Sequence, residues 1–377
     1  MINRNSLLKI FLPLVSALST VFLIELILIL FYPIPYSFER NMYFEPDPYL
    51  GYRHRPLSSG TYPNFVPAEA NSLGFRDDEI TLEKPSNTFR ILMLGDSFTV
   101  GANVEQSNAY PQVLERLLNI ENTNPIEVVN AAVGGYEPFH YAEFVDNYAD
   151  KYNPDMLLLG FFVGNDAYNA VHSFKQTRTA VLGRRVNRYQ GKGWPILIKV
   201  WAYENLHVFR AVVNTGPKGM QFEREECNDF SKVYLAVQEK RITNHLANPG
   251  IEKKDLLKSN INQLERIQKY AKARDIPFMI VLLPDETQLN SALQEKLILE
   301  SNRDQYDFDM PQKTLRDNFD RLQIINLDLI DDFRKDSRCL YMNDTHWITE
   351  GHRLAAEVIQ KELLARKLIP SGSKRNK

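Results

Sequence analysis

Two short segments far apart in the chain hold side chains that together could form an activated nucleophile. Gly95-Asp96-Ser97 follows a short apolar run, and Asp344-Thr345-His346-Trp347 lies near the C-terminus. A serine hydroxyl needs a base, an imidazole titrates in the useful range, and a nearby carboxylate can orient that imidazole. We therefore take Ser97 as the candidate nucleophile, His346 as its general base and Asp344 as the acid that orients the base.

Two further segments could stabilise negative charge on a reacting oxygen. Residues 130–136 contain Gly134-Gly135, and glycine lets a backbone N–H approach a ligand closely. Gly164-Asn165-Asp166 offers an amide that can donate to a developing oxyanion. Each segment alone has a simpler explanation, namely a capping serine, a plain turn, an Asx turn, or a capping or surface histidine such as His352. Four such segments, three placed after successive strands and one before the last helix, are much harder to explain as separate caps and turns.

The elements around these segments would bring them together. Apolar runs at 91–94, 126–129, 156–163, 276–283 and 323–327 alternate with helical patterns that begin near Pro111 and cover 256–274 and 350–367. Strands separated by helices indicate a parallel sheet covered on both faces, with catalytic groups at its carboxyl edge. The sequence predicts an α/β fold over residues 89–370, with a flavodoxin-like, doubly wound, five-stranded parallel sheet.

The four segments resemble the blocks of the SGNH (GDSL-type) hydrolases: Ser in Gly-Asp-Ser, Gly after the second strand, Asn in Gly-Asn-Asp, and His near the C-terminus. The resemblance covers residues 88–367. It implies that Ser97, His346 and Asp344 are catalytic. It also implies that the N–H groups of Ser97 and Gly135 and the side chain of Asn165 form the oxyanion hole.

The last block departs from the common Asp-x-x-His form, because one residue separates Asp344 from His346 and Asn343 occupies the usual acid position. The short Asp-x-His-Trp version resembles the branch that contains extracytoplasmic acetylesterases and polysaccharide O-acetyltransferases. The departure leaves the acid less well defined than the serine. Gly134, beside Gly135, is a second ambiguity.

The N-terminal segment differs from the rest of the chain. Residues 10–32 are almost wholly apolar and match the ~20 residues of a transmembrane helix, with Glu25 inside the run. A cleaved signal peptide is the alternative, but the run is long and ends in Phe31-Tyr32-Pro33 without a small-x-small site. Arg4 and Lys9 predict a cytoplasmic N-terminus (residues 1–9) and an extracytoplasmic catalytic domain.

Two other segments interrupt the strand and helix pattern. Residues 33–88 predict an irregular linker that packs on the domain. Residues 167–255 predict an insertion that forms a helical cap over the active-site edge, and a purely structural excursion explains this insertion equally well. Cys227 and Cys339 could pair outside the cytoplasm, which sequence alone does not decide.

The composition narrows the function. A formal net charge of −2, from 45 basic and 47 acidic side chains, offers no footprint for nucleic acid. The remaining histidines lack metal-ligand spacing, and we expect neither a metal nor another cofactor. The sequence thus predicts acyl transfer through an acyl-Ser97 intermediate, to water or to a sugar hydroxyl, on an acylated small molecule or a cell-surface or secreted glycan. The alternative is a non-catalytic glycan-binding or scaffold module of an envelope assembly; protein partners stay open.

Overall fold

The fold was analysed in a computed structural model, which describes residues 4–32, 43–62, 64, 66–168, 171–181, 184–187, 198, 201–202, 205–214, 224 and 226–370. A central sheet of five strands organises the domain: β5 (Phe89–Leu94), β6 (Ile126–Asn130), β7 (Met156–Phe162), β10 (Phe278–Leu283) and β11 (Ile325–Asp328). Every neighbouring pair is parallel, and the spatial order is β11-β10-β7-β5-β6. The chain therefore runs outward in both directions from β5, which is the flavodoxin-like order and confirms the predicted fold class.

Helices cover both faces of this sheet. α4 (Pro138–Tyr148), α7 (Ile251–Ala273) and α9 (Met310–Leu322) pack on one face, and α3 (Tyr110–Glu121) and α11 (Thr349–Ala365) on the other. Successive β5 side chains enter opposite cores, Leu92 and Leu94 on the first face and Ile91 and Met93 on the second. Because both faces are buried, each strand reads as a continuous apolar run rather than an alternating one.

Three further helices of the domain are short. They are α2 (Ser97–Val100), α8 (Ser291–Leu297) and α10 (Ile330–Lys335). α2 begins immediately after β5, at the strand from which the chain order reverses. In open α/β sheets this reversal leaves a crevice at the carboxyl edge, so the residues of α2 are placed at the mouth of that crevice.

Residues 43–88 correct the prediction of an irregular linker. They form two antiparallel hairpins, β1 (Phe44–Asp47) with β2 (Gly51–His54), and β3 (Ser59–Thr61) with β4 (Pro67–Glu69). Strands of three or four residues are too short to show an alternating pattern in the sequence. Residues 33–42 of the predicted linker lie outside the described residues.

Arg76 fixes this N-terminal segment to the catalytic loop. Its guanidinium is fully buried and donates to the carbonyl oxygens of Val100, Gly101, Val104 and Pro67, at 2.7–3.1 Å. Two of those carbonyls belong to the end of α2, where helix carbonyls lack partners of their own. Residues 71–77 therefore help to hold the loop that carries Ser97.

The described part of the insertion is partly helical, where the sequence predicted a helical cap. Its described part contains the hairpin β8 (Arg178–Val181) with β9 (Arg184–Asn187), then α5 (His207–Asn214) and α6 (Lys232–Arg241). α7 begins at Ile251, four residues before the predicted end of the insertion at 255. The rest of the insertion lies outside the described residues.

The first helix stands apart from the domain. α1 (Arg4–Phe31) contains the apolar stretch Phe11–Phe31, which is long and apolar enough to cross a membrane, a description that also fits a signal sequence. Most of its side chains are exposed, including Phe22 and Leu30. α1 contacts the domain at α5.

Candidate active site

Ser97 lies where β5 ends and α2 begins. Asp96 is the N-cap of α2, and its Oδ1 accepts a hydrogen bond from the N–H of Phe98 at 2.9 Å. The helix ends after one turn at Gly101, whose φ of +75° is strained for other residues and where a Cβ would lie 2.3 Å from that of Ala109. This short, capped turn holds the half-buried Ser97 at the carboxyl edge of the sheet.

The structure brings His346 to Ser97 across 249 positions of sequence. Nε2 of His346 lies 2.8 Å from Oγ of Ser97, and Nδ1 lies 2.8 Å from Oδ2 of Asp344. A carboxylate on Nδ1 favours the tautomer that carries its proton there, which leaves Nε2 free to accept the serine proton. The three side chains form a continuous Ser–His–Asp chain of hydrogen bonds.

The unusually short spacing of the last block is explained by a tight turn. Oδ1 of Asp344 accepts from the N–H of His346 at 3.1 Å, and the N–H of Met342 donates to the carbonyl of His346 at 2.7 Å. Thr345 between them has a φ of +81°, an uncommon conformation for a β-branched residue. Turning the chain at Thr345 lets one carboxylate contact both the backbone and the ring of His346.

Asn343, the other candidate for the acid, has a different partner. Its Oδ1 accepts from the backbone N–H of Ser231, at 3.2 Å. It thereby joins the active-site loop to the start of α6. The geometry assigns the contact with the imidazole to Asp344.

Asn103 also contacts Asp344, and the sequence analysis did not identify it. Its Nδ2 donates to Oδ2 of Asp344, the oxygen that faces His346. Burial raises the pKa of Asp344. The charge of the adjoining His346 and the hydrogen bonds that Asp344 accepts have the larger effect in total, and they bring this pKa below its usual value. Asn103 has a left-handed backbone with φ +66°, where Asn is enriched, but such turns are too common to signal a site.

An aromatic cluster sets the separation of the serine and histidine loops. Phe98 stacks on Phe162 at 4.0 Å between ring centroids, and meets the rings of His346 and Trp347 at 5.1 and 5.2 Å. Trp347 is fully buried. Because Phe98 and Trp347 directly follow Ser97 and His346 in sequence, their packing fixes the distance between the two polar groups. An aromatic residue after each block is the sequence signal that could have indicated this.

The glycine turn lies beside the serine. A Cβ on Gly134 would be 3.9 Å from Cβ of Ser97, and Gly135 has a φ of +78°. The hydroxyl of Tyr52 donates to the carbonyl of Gly134 at 3.1 Å and holds the turn from outside. Within the described part of the chain, no protein atom accepts a hydrogen bond from the N–H of Ser97 or of Gly135. Both can therefore donate to a ligand oxygen.

Asn165 has a less direct position than the other predicted site residues. Its Nδ2 donates to Oδ2 of Asp96 at 3.1 Å, and it does not line the cavity at Ser97. Complete burial raises the pKa of Asp96, which Asn165, the N–H of Phe98 and nearby His346 oppose. One N–H of the amide remains beyond the bond to Asp96. The structure thus groups Ser97, Gly135, His346 and Asp344 around one space, with Asn165 held behind Asp96.

A cavity of about 380 Å³ opens beside Ser97 and His346. Its lining combines the glycine turn, the N-terminal hairpin and α6, contributed by residues such as Tyr43, Phe44, Tyr62, Val233, Tyr234 and Val237. Arg178 from β8 adds a cation at its edge. Among the described residues no group of three or more His, Cys, Asp or Glu side chains could hold a metal ion.

The wall formed by α6 is tied to the histidine loop. Cys227 and Cys339 form a disulfide with a Cα–Cα distance of 5.2 Å. Arg224 donates to both carboxylate oxygens of Glu286, at 2.6 and 2.8 Å, and to the carbonyl of Met342 at 3.0 Å. The sequence alone did not identify these contacts, because their partners lie 62 and 118 positions away.

His352, expected to be a capping or surface residue, is a buried cap. It is 1% exposed, and its Nδ1 accepts from the N–H of Tyr110, the first residue of α3, at 3.4 Å. Burial lowers the pKa of His352 to about 3, which keeps the ring neutral. It supports the helix behind Ser97 and does not line the cavity.

Comparisons with known proteins gave matches among solved structures. No protein-family model and no curated protein match the sequence. A lipolytic protein of the G-D-S-L family from Desulfitobacterium hafniense DCB-2 is 14% identical, covering 72% of this chain and 98% of its own, with a TM-score of 0.34. An acetyl xylan esterase is 14% identical, with coverage of 73% and 100% and a TM-score of 0.38. The esterase EstA from Pseudoalteromonas sp. is 11% identical, with coverage of 75% and 99% and a TM-score of 0.37.

The strand order is flavodoxin-like, and the blocks that carry Ser97, Gly135, Asn165 and His346 all lie at one edge of the sheet. The chain has the doubly wound parallel fold that the resemblance implied.

Proposed function

We propose that this chain is a membrane-anchored serine esterase that acts through an acyl-Ser97 intermediate. The observation that carries the proposal is the pair of 2.8 Å contacts on either side of the His346 ring, to Ser97 and to Asp344. A binding module would not need a hydroxyl joined to an oriented base. This linkage favours catalysis over the alternative of a glycan-binding or scaffold module.

The chemistry follows from the positions of the atoms. Nε2 of His346 takes the proton of Ser97 as Oγ attacks the ester carbonyl, and Asp344 stabilises the imidazolium that forms. The N–H groups of Ser97 and Gly135 donate to the carbonyl oxygen as it becomes negative, and Asn165 supports this hole through Asp96 or with its second N–H. The imidazolium then protonates the leaving alcohol, which departs and leaves the acyl group on Ser97.

The second half of the reaction needs an acceptor. Water activated by His346 makes the enzyme an esterase, and a sugar hydroxyl in the same place makes it an O-acyltransferase. The aromatic side chains that line the cavity offer flat apolar surfaces to an acyl chain or a sugar ring. They support an acylated small molecule or an O-acylated, for example acetylated, cell-surface or secreted glycan as the substrate.

The location of the enzyme is part of the proposal. We take α1 as an uncleaved anchor, with Arg4 and Lys9 at the cytoplasmic end and the catalytic domain in the periplasm or at the cell surface. The Cys227–Cys339 disulfide supports this orientation, because such bonds persist in oxidising compartments.

Turnover of p-nitrophenyl acetate by the wild type, Ser97→Ala and Ser107→Ala tests the role of Ser97. Loss of the nucleophile should lower kcat on the order of 10³-fold or more, whereas exposed Ser107 is a matched control that should change little. Mass spectrometry of the protein after incubation with a fluorophosphonate should find the adduct on Ser97 only. Equal rates for wild type and Ser97→Ala would remove Ser97 from the mechanism.

Partition of the acyl group separates the esterase from the transferase. The wild type is incubated with p-nitrophenyl acetate and an oligosaccharide, and free acetate and acetylated sugar are both quantified. An esterase releases acetate at a rate that the sugar does not change. Acetylated sugar that forms at the expense of acetate would instead show acyl transfer.

A further inference from the structure

The acidic side chain inside the apolar stretch of α1 has a defined partner. Oε1 of Glu25 accepts from the N–H of His207 at 2.7 Å, and Oε2 accepts from the N–H of Val208 at 2.8 Å. These are the first two N–H groups of α5, which have no acceptor within their own helix. Glu25 therefore satisfies the N-terminus of α5, where a carboxylate is also favoured by the helix dipole.

The contact involves one narrow face of α1. Along Phe11–Phe31, the half-buried side chains are Glu25 and Leu28, which lie three residues apart on the same side, and all others are exposed. The face that meets α5 is therefore the one with the acidic group. The rest of the apolar surface is left for another environment.

The depth of this contact follows from helix geometry. Glu25 precedes the end of α1 at Phe31 by six residues, which at 1.5 Å per residue places it about 9 Å inside the span. An acidic group at that depth needs a polar partner, because hydrocarbon offers none. Whatever caps Glu25 must therefore lie at the same depth, and that is the N-terminus of α5.

Several apolar side chains on and near α5 are exposed. Val212 on α5 is 67% exposed, and Ile198 and Trp201 upstream of it are 56% and 53% exposed. Aliphatic residues suit the hydrocarbon core, and Trp is enriched at the membrane interface. Exposed apolar side chains next to a membrane span have the bilayer as their natural partner.

We infer that α5 is a second membrane-embedded element, which enters the outer leaflet beside α1 and is capped there by Glu25. The insertion thus joins the lipid surface at α5 to the wall of the active-site cavity at α6. This inference rests on the proposal that α1 spans the membrane, and it does not depend on ester hydrolysis.

Single introduced cysteines can test the depth of α5. Both natural cysteines are in the disulfide, so a new thiol is the one free thiol to label. Val212→Cys is compared with Leu30→Cys on α1 and with Ile120→Cys at the end of α3, an exposed position on the domain. Each full-length variant carries an environment-sensitive fluorophore and is reconstituted in phosphatidylcholine–phosphatidylglycerol vesicles.

Two quenchers then report the surroundings of each label. We expect doxyl-labelled lipid to quench the Val212 label within about twofold of the Leu30 label, and aqueous iodide to quench it several-fold less than the Ile120 label. Iodide quenching at Val212 equal to that at Ile120, with Leu30 quenched by lipid, would overturn the inference and leave the anchor intact. A Leu30 label that lipid does not quench would contradict both the membrane span of α1 and the insertion of α5. Turnover of p-nitrophenyl acetate by the same samples reports the esterase activity separately.

Substitution of Glu25 tests the cap itself. Glu25→Leu removes both acceptors, and Glu25→Gln keeps one oxygen. With the label at position 212, Glu25→Leu should raise iodide quenching several-fold, and Glu25→Gln should raise it less. Unchanged quenching in Glu25→Leu would show that Glu25 does not hold α5 in the bilayer.

Discussion

Replacing Asp344 by Asn tests the electrostatic part of the site. The carboxylate lies 2.8 Å from Nδ1 of His346, and the two side chains are only 8% and 19% exposed. With an effective dielectric constant of about 20, a unit charge pair at this distance is worth about 6 kcal/mol. At 1.36 kcal/mol per factor of ten, full loss of that term lowers kcat by about 10⁴-fold.

The neighbouring residue supplies the matched control. Asn343 is the position that the common Asp-x-x-His block would use for the acid, but its side chain binds the N–H of Ser231 instead. Asn343→Ala removes one hydrogen bond of about 1 kcal/mol and should cost kcat less than about 10-fold. Both variants are measured with p-nitrophenyl acetate from pH 5 to 9, with thermal unfolding to verify that they fold.

The pH profile makes the result specific. Because hydrogen bonds and the imidazole hold the pKa of Asp344 below its usual value, Asp344 stays ionised across this range and the loss in Asp344→Asn should not recover at either end. If Asp344→Asn kept its rate within 10-fold of the wild type while Asn343→Ala lost more, the reasoning about the acid would be refuted.

Two further predictions concern stability. The Cys227–Cys339 disulfide closes a loop of 112 positions, for which the chain-entropy relation gives about 5 kcal/mol, so Cys227→Ser/Cys339→Ser should unfold at a lower urea midpoint, and an unchanged midpoint would contradict this assignment. His352 has a pKa of about 3 in the folded protein, against an ordinary value of 6.5 for histidine. The unfolded chain therefore binds more protons between these two values, and stability falls as pH falls. His352 accounts for about 1.5 kcal/mol of the loss in unfolding free energy between pH 6.5 and about 5. In urea titrations at the two pH values, His352→Gln should lose this part of the pH dependence. An equal pH dependence in the wild type and His352→Gln would exclude the role of His352.

The sheet was predictable because burial on both faces leaves a simple trace. The runs at 91–94, 126–129 and 156–163 lie within one or two residues of the observed β5, β6 and β7. Short hairpins left no such trace, since the pairing of β1 with β2 depends on packing against the domain. The insertion was also hard to interpret, because the partners of α5 and α6 lie far away in the sequence.

The candidate site shows the same division. Ser97, Asp344 and His346 could be chosen from residue type and from their position after a strand or before the last helix. The residues that support these three side chains could not be chosen from the sequence, because Asn103 contacts Asp344 across 241 positions and lies in an ordinary turn. Contacts of that kind arise from the folded arrangement of loops and have no local pattern.

The short distance in sequence between α1 and the cavity limits where the enzyme can work. Tyr43 lines the cavity and follows Phe31 by twelve residues, which span at most about 40 Å even when fully extended. With α1 in a bilayer, Ser97 is confined to a thin layer above the lipid headgroups. A substrate attached to the same membrane surface is therefore present at a high effective concentration around Ser97. The length of the connection to α1 thereby selects substrates at the membrane surface, a selection that the residues around the nucleophile need not provide.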